Sequence, residues 1–163
     1  MMLDRVVIIM GSARDEEFIR PTCLALEKFG LPYELRVSSA HKTPQKLLEM
    51  LNEYESSGDR IVYITVAGRS NALSGLVDAN TRYPVLASPP QSEKFGGVDI
   101  YSSLRMPSGV SPLVVLEPEN AALAAAKILA LSNPKILEKV LSYQQSLKGK
   151  IELDDEKARK TQE

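Results

Sequence analysis

The only histidine of this chain, His41, stands in the segment SAHKTP at residues 39–44. An apolar, strand-like run precedes the segment, and Thr43 and Pro44 follow as the N-cap and first residue of a predicted helix. An imidazole transfers protons near neutral pH, and a helix N-terminus with a lysine beside it attracts anions. The pattern therefore predicts an anion site with a proton carrier, although an isolated histidine also serves as an ordinary structural residue.

A second candidate segment, GSARD at residues 11–15, opens the first predicted helix. Gly11 lets the backbone approach a ligand, and the free N–H groups at a helix start favour a phosphate. The segment matches neither G-x-G-x-x-G nor G-x-x-x-x-G-K-[ST], so a dinucleotide fingerprint and an ATP-hydrolysing loop are absent. Ser12 and Asp15 can also be interpreted as simple helix caps. In a nucleotide site, Asp15 would accept hydrogen bonds from ribose hydroxyls.

Two basic residues complete the set of candidates. Lys42 offers a point charge for a phosphate or carboxylate, and Arg69 offers a bidentate contact. Each also has an ordinary interpretation, as a solvated surface group or, for Arg69, as the partner of a nearby acid. Spacing alone does not decide between these interpretations.

Short β-branched runs alternate with helical patterns, which predicts a parallel sheet covered by helices on both faces. Strands are predicted at residues 5–10, 33–37, 61–66, 84–87 and 113–116. Helices are predicted at residues 16–29, 44–57, 71–80, 99–104, 119–131 and 134–148. The expected fold class is therefore α/β, a three-layer αβα sandwich of flavodoxin-like type with a parallel five-stranded sheet. Residues 1–163 are expected to form a single domain.

The loops after the first four predicted strands belong to one edge of such a sheet, at residues 11–15, 38–43, 67–71 and 88–90. In open α/β sheets, ligands bind outside the carboxyl ends of the strands. All four loops are rich in Gly, Ser, Pro or other polar residues. We therefore expect them to converge on one cleft that contains His41.

Two helical segments leave alternatives open. The alanine-rich stretch at residues 121–126 suits close packing of a helix on the sheet, which is the more common use of small residues, or contact with another subunit. The polar tail at residues 149–163 is either an extension of the last helix or disordered.

Composition excludes several classes of function. Apolar residues make up 44% and charged residues 25% of the 163 residues, as in ordinary globular proteins. The net charge of −1 argues against a nucleic-acid partner, and no apolar stretch is long enough to span a membrane. A lone Cys23 and the lack of a signal-peptide pattern predict a cytoplasmic protein. One His and one Cys exclude a His/Cys metal cluster within one chain.

Six segments, taken in order and spacing, resemble a single family: MGSARD, SSAHKTP, VAGRSNALSG, YPVLASPP, YSSLRMPSG and LEPENAALAAAKILAL. Over residues 5–147 the chain resembles the catalytic subunit of phosphoribosylaminoimidazole carboxylase, the PurE family of purine biosynthesis. The resemblance implies an αβα sandwich assembled as a homo-octamer, with the C-terminal helix used in subunit contacts. It also implies small-molecule substrates and no cofactor.

The family has two classes, and the loop at residues 67–75 distinguishes between them. Class I members rearrange N5-carboxyaminoimidazole ribonucleotide and have a second histidine in a GGAAHLPG-like loop, usually with AHRTP in the histidine segment. Here the corresponding loop is AGRSNALSG at residues 67–75, without a histidine, and the segment reads AHKTP. These features, together with SSLRMPSG, are similar to class II, whose members carboxylate 5-aminoimidazole ribonucleotide (AIR) directly with CO2.

The resemblance implies one catalytic residue, His41, which acts as acid and base. The implied substrate-binding residues are Ser12, Asp15, Ser39, Lys42, Gly68 and Ser70. The first two would bind the ribose phosphate part of AIR, the next two would line the same site, and the last two would hold the imidazole or the incoming carboxylate. Residues 102–108 would close the pocket beside a neighbouring subunit, while Arg69 matches the class II loop without an assigned contact.

The implied reaction forms 4-carboxy-5-aminoimidazole ribonucleotide (CAIR) from AIR and CO2. The AIR ring is enamine-like and nucleophilic at C4, so this step needs neither ATP, biotin nor a metal. Positioning of CO2 in a dry pocket and removal of the C4 proton by His41 would account for catalysis. The alternatives are a class I mutase with an atypical loop and a non-catalytic flavodoxin-like nucleotide-binding module; the aromatic content of 6% disfavours a flavin-binding version of the latter.

Overall fold

Residues 3–160 are described by a computed structural model, in which five strands form one parallel sheet. The strands are β1 (Asp4–Met10), β2 (Tyr33–Val37), β3 (Arg60–Val66), β4 (Val85–Ala87) and β5 (Leu113–Val114). Their order across the sheet is β2-β1-β3-β4-β5, which is the flavodoxin-like order. The predicted fold class is confirmed.

Helices cover both faces of the sheet. They are α1 (Glu16–Phe29), α2 (Pro44–Glu55), α3 (Ala72–Asp78), α4 (Tyr101–Leu104), α5 (Pro118–Ala130) and α6 (Pro134–Lys160), with short 3₁₀ helices at Ala13–Asp15 and Lys94–Ile100. α1, α5 and α6 pack on one face, and α2 and α3 pack on the other. This arrangement gives the three layers expected from the alternation of strands and helices.

The two central strands are buried because both of their faces are covered. In β1, Val6 and Ile8 face the layer of α1, α5 and α6, while Val7 and Ile9 face the layer of α2 and α3. Successive side chains of a strand point to opposite faces, so an unbroken apolar run is what a doubly covered strand requires. This explains why residues 5–10 and 61–66 could be recognised as strands.

The first three strands end at the same level, and this aligns the loops that follow them. Met10 pairs with Val37 of β2 on one side and with Val66 of β3 on the other. Just beyond the strands, the Gly11 N–H donates to the Val66 carbonyl at 2.9 Å and the Ser38 N–H donates to the Met10 carbonyl at 2.9 Å. The sheet thus fixes where each of these loops begins.

The alanines of α5 pack inside the subunit. Ala121, Ala122, Ala125 and Ala126 are buried in the core layer shared with α1 and α6. Their small side chains allow α5 to approach its neighbours closely, and the Thr22 hydroxyl of α1 donates to the Pro118 carbonyl of α5 at 2.8 Å. The interpretation of this stretch as intramolecular packing is confirmed.

The last helix is longer than predicted. Asn133 caps it, since its side-chain oxygen accepts from the Lys135 N–H at 3.1 Å, but α6 continues past residue 148 to Lys160. Of the two alternatives for the tail, helix extension is therefore correct as far as residue 160, while residues 161–163 lie outside the described residues. Every residue from 150 to 160 is exposed.

Several other boundaries differ by a few residues from the predicted ones. α2 stops at Glu55 because the hydroxyls of Ser56 and Ser57 donate to the carbonyls of Asn52 and Tyr54 and close the helix end. α3 is shorter at both ends than residues 71–80, and the fourth and fifth strands are shorter than predicted. The helix predicted at 99–104 is a 3₁₀ helix, Lys94–Ile100, followed by α4.

Candidate active site

A cavity of about 530 Å³ opens at the carboxyl edge of the sheet. Loops after β1, β2, β3 and β4 all form its wall, at the position where the strand order reverses. Its volume lies in the range of small-molecule sites. The lining residues are Gly11, Ser12, Asp15, Ser39, Ala40, His41, Ala67, Gly68, Arg69, Ser70, Leu73 and residues 90–94.

Ser12 is both a cap and a cavity residue. Its backbone is extended, and its hydroxyl accepts a hydrogen bond from the Arg14 N–H at 3.3 Å, which caps the short 3₁₀ helix before α1. The same residue lines the cavity. The two interpretations that the sequence left open for Ser12 are therefore compatible.

Asp15 occupies the N-cap position of α1, but its side chain makes no capping hydrogen bond. Partial burial raises the pKa of this carboxyl above its ordinary value of 3.8, against smaller lowering effects from the Ser12 backbone N–H and the Arg69 charge. A raised pKa means that burial has removed part of the hydration of the carboxylate. Asp15 therefore places a partly desolvated carboxylate in the cavity wall.

The turn that carries His41 is held together by its own side chains. The Thr43 hydroxyl oxygen accepts from the Ser39 N–H at 3.0 Å, and the Thr43 N–H donates to the Ser39 carbonyl at 2.9 Å. Thr43 is the N-cap of α2 and Pro44 its first residue, as predicted, but the Thr43 side chain makes no capping hydrogen bond, since its hydroxyl is used across the turn instead. This closed turn directs Ser39 and His41 into the cavity wall.

His41 and Lys42 are both exposed, but they differ in position. His41 lines the cavity at its rim, whereas Lys42 is not among the lining residues. The Lys42 backbone N–H donates to the Ser39 hydroxyl at 3.3 Å, so Lys42 helps to orient Ser39. Of the seven predicted site residues, the cavity brings together Ser12, Asp15, Ser39, His41, Gly68 and Ser70, without the Lys42 side chain.

The loop after β3 has an unusual backbone at Arg69, whose φ of 61° lies in the left-handed region. Its N–H donates to the Asp99 carboxylate at 3.1 Å, and its carbonyl accepts from the Ser102 hydroxyl at 3.1 Å. Arg69 lines the cavity close enough to Asp15 to lower the pKa of that carboxyl. The guanidinium is thus a cation of the cavity wall.

Residues after β4 extend the wall further than the sequence had indicated. Gln91, Ser92, Glu93 and Lys94 line the cavity, although only residues 88–90 were predicted there. The signal for them was the polar run that directly follows two prolines. A smaller adjoining cavity of about 240 Å³ shares Gly68 and residues 90–92 with the first and includes Ser103 from the predicted closing loop at residues 102–108.

Comparison with known proteins identifies the chain. The family model for AIR carboxylase matches residues 5–150. The chain belongs to the AIR carboxylase family. It is 54% identical to a phosphoribosylaminoimidazole carboxylase of Archaeoglobus fulgidus over 95% of this chain and 85% of that protein. It is 49% identical to the enzyme of the same name from Treponema denticola over 95% of this chain and 98% of that protein.

Solved structures of AIR carboxylase relatives have the same fold. The crystal structure of Treponema denticola PurE superposes with a TM-score of 0.91, at 50% identity, over 93% of this chain and 96% of that one. A variant of Treponema denticola PurE2 superposes with a TM-score of 0.94, at 49% identity, over 96% and 98% of the two chains. The human bifunctional carboxylase/succinocarboxamide synthetase is 45% identical, but the match spans only 32% of that protein.

Within residues 3–160, no three His, Cys, Asp or Glu side chains are arranged to hold a metal ion. None of the helices in this part of the chain is long and apolar enough to cross a membrane.

Proposed function

We propose that this protein carboxylates AIR at C4 with CO2 to give CAIR. One observation carries the proposal: His41, the only histidine of the chain, lies at the rim of the cavity at the strand-order reversal, together with Ser12 and Asp15. This position offers a proton carrier beside groups suited to a ribonucleotide. The names of relatives that match nearly the full chain support the same reaction.

The reaction requires the protein to position AIR and CO2 and to supply a base for the C4 proton. AIR attacks CO2 through its electron-rich C4, which forms a C–C bond and leaves a ring with a proton on C4 and a new carboxylate. His41 takes this C4 proton, and the electron pair of the C–H bond returns to the ring and restores aromaticity. Excluding water and holding CO2 against C4 lower the barrier to the first step.

The proposed substrate contacts follow the loops. Ser12 and Asp15 would hold the ribose phosphate, with the Asp15 carboxylate accepting from ribose hydroxyls, and Ser39 would line the same site. Gly68 and Ser70 would hold the imidazole or the incoming carboxylate. These roles divide the cavity into a part for the sugar phosphate and a part for the reacting ring.

Two cations stand beside this proposed arrangement. Lys42 follows His41 on the exposed turn and would supply a positive charge for the anionic parts of the substrate from outside the cavity wall. Arg69 supplies a second cation within the wall. Both charges would stabilise the carboxylate as it forms.

Direct carboxylation is proposed over the mutase reaction because the loop at residues 67–75 contains no histidine. The purified protein should consume AIR in the presence of bicarbonate without ATP, followed by the ultraviolet absorbance of CAIR. A parallel assay supplies N5-carboxyaminoimidazole ribonucleotide. Turnover of this second substrate alone would contradict the proposal.

We further propose that the chain acts as a cytoplasmic homo-octamer without a nucleic-acid partner. The lone Cys23 and the net charge of −1 are the basis for the location and for the absence of nucleic acid. Exposed leucines on α6 support assembly, with that helix at subunit contacts. Native mass spectrometry measures the number of subunits, and a monomer would contradict this part of the proposal.

A further inference from the structure

A buried polar network lies behind the loop that follows β3. Asn71, which is 3% exposed, donates its side-chain N–H to the hydroxyl of Ser103, which is 2% exposed, at 2.9 Å. The Asn71 side-chain oxygen accepts from the N–H of Ser74 at 3.1 Å and from its hydroxyl at 2.9 Å. Ser74 in turn lies 2.7 Å from the Thr65 hydroxyl of β3. Because all these groups are buried and paired, the network favours one geometry.

The 99–103 segment also holds the backbone of this loop. The Arg69 N–H donates to the Asp99 carboxylate at 3.1 Å, and the Asn71 N–H donates to the Ser102 hydroxyl at 3.0 Å. The Ser102 hydroxyl lies 3.1 Å from the Arg69 carbonyl as well. The 99–103 segment therefore contacts both Arg69 and Asn71, the first and last residues of the tripeptide at residues 69–71.

These contacts account for the strained backbone of the loop. Among residues 3–160, Arg69 is the one non-glycine residue with a positive φ. A side chain in the left-handed region is unfavourable and persists only where surrounding contacts over-determine it. The hydrogen bonds from the 99–103 segment supply that constraint, and the strained residue sits between Gly68 and Ser70 in the cavity wall.

We propose that Asn71 is a positioning residue for the carboxylation of AIR. Through Ser103 it holds the loop so that Gly68 and Ser70 meet the imidazole and the incoming CO2. The inference rests on the proposed function. The ribose phosphate is assigned to loops that Asn71 does not contact, so loss of the Asn71–Ser103 bond should lower kcat and leave the KM for AIR nearly unchanged.

One variant in this network and one matched control outside it test this. Ser103→Ala removes the acceptor of the Asn71 side-chain N–H, whereas Thr22→Ala removes an equally buried hydroxyl on α1 that donates to the Pro118 carbonyl and contacts neither this loop nor the 99–103 segment. We expect Ser103→Ala to lower kcat about tenfold, or about 1.4 kcal/mol, with the KM for AIR within about twofold of wild type. Thr22→Ala should lower the thermal midpoint similarly but keep kcat within about twofold.

Equal kcat losses in the two variants, or a raised KM for AIR with unchanged kcat in Ser103→Ala, would overturn the inference. If Ser103→Ala fails to fold, Ser102→Ala replaces it, because this less buried hydroxyl ties the Asn71 N–H and the Arg69 carbonyl to the same segment. A wild-type protein that does not carboxylate AIR would contradict the proposed function and this inference with it. If the wild-type protein carboxylates AIR but the two variants lose kcat equally, the inference alone would be contradicted and the proposed function would stand.

Discussion

His41 is the residue whose chemistry and position coincide most closely. It is exposed at the cavity rim, on a turn closed by Thr43, so replacing it should leave the fold intact. We predict that His41→Asn lowers kcat by about 10²- to 10⁴-fold, the usual contribution of a general base. Binding of AIR, measured by isothermal titration calorimetry, should be retained because the ribose phosphate contacts remain.

The control for this prediction is Gln45→Asn, which shortens an exposed side chain on α2 outside the cavity lining and should leave kcat within about twofold. Near-normal turnover by His41→Asn would show that another group removes the C4 proton.

The Asp15 carboxylate is expected to lower the stability of the free protein while it strengthens the binding of AIR. Its folded pKa is raised by burial, so the folded state binds a proton more readily than the unfolded state does. The stability this provides is complete below pH 3.8 and is lost as the pH rises through the folded pKa. At pH 7 the ionised carboxylate therefore weakens the free protein, and Asp15→Asn should raise the thermal midpoint there while raising the KM for AIR at least about tenfold.

Glu16→Gln is the matched control for Asp15→Asn, because it removes the same charge at the start of α1 from an exposed side chain. Both variants lose the interaction of that charge with the helix dipole, so the difference between them reports the burial of Asp15 less its smaller favourable interactions with Ser12 and Arg69. The advantage of Asp15→Asn over the control should shrink as the pH falls towards 3.8. A constant difference from pH 7 to pH 4 would be inconsistent with burial as the cause.

Most of the candidate residues could be chosen from sequence because parallel topology brings the carboxyl ends of strands together whatever the loops contain. Thr43 and Lys42 show where that reasoning stops. A threonine before a helix has two uses for its hydroxyl, and only the turn geometry made the bond to Ser39 available. Whether a long, exposed lysine faces a cavity depends on a rotation of the turn that no local pattern encodes.

At the scale of elements, α5 relies on alanine for its close approach to α1. Ala125 is fully buried in the layer that both helices share, so a larger side chain there must displace its neighbours. We predict that Ala125→Leu lowers the free energy of unfolding by about 1–3 kcal/mol, as overpacking usually does. Chemical denaturation followed by circular dichroism measures this change.

Ala158→Leu makes the same substitution on an exposed stretch of α6 and should change stability by no more than about 0.5 kcal/mol. Similar stabilities for the two variants would mean that the α5 contact tolerates a leucine, contrary to the packing argument. The catalytic constants of folded Ala125→Leu should stay near wild type, because Ala125 does not line the cavity.

The spacing of apolar residues was enough to predict which segments form strands and which form helices. It did not determine the residues at which these elements begin and end. The apolar runs of β1 and β3 are unambiguous because strands covered on both faces have little polar alternation. The extension of α6 past residue 148 was not decidable, since a polar stretch with few apolar contacts resembles a disordered one in composition. The 3₁₀ helix at Lys94–Ile100 follows from contacts such as that of Asp99 with Arg69, which are distant in sequence.

At the scale of the whole molecule, α6 has an exposed apolar face that packing within one subunit does not cover. Leu137 and Leu141 are one helical turn apart and are 44% and 55% exposed, although the same helix packs into the core through Ile136 and Val140. Apolar side chains clustered in this way mark an interaction surface more often than a solvated one. A second copy of the chain would cover them in the proposed octamer.

Changing these two leucines tests the assembly directly. The octamer of a 17.9 kDa chain has a mass of eight times that value, about 143 kDa, which light scattering after gel filtration resolves from smaller species. Leu137→Glu combined with Leu141→Glu would bury unpaired charges at the contact, so we predict dissociation to smaller species with the α/β fold retained. Ser142→Glu adds a charge at an exposed neighbour on a different side of the helix and should leave the mass unchanged. A double variant that still elutes at the wild-type mass would exclude this face of α6 from the subunit contact.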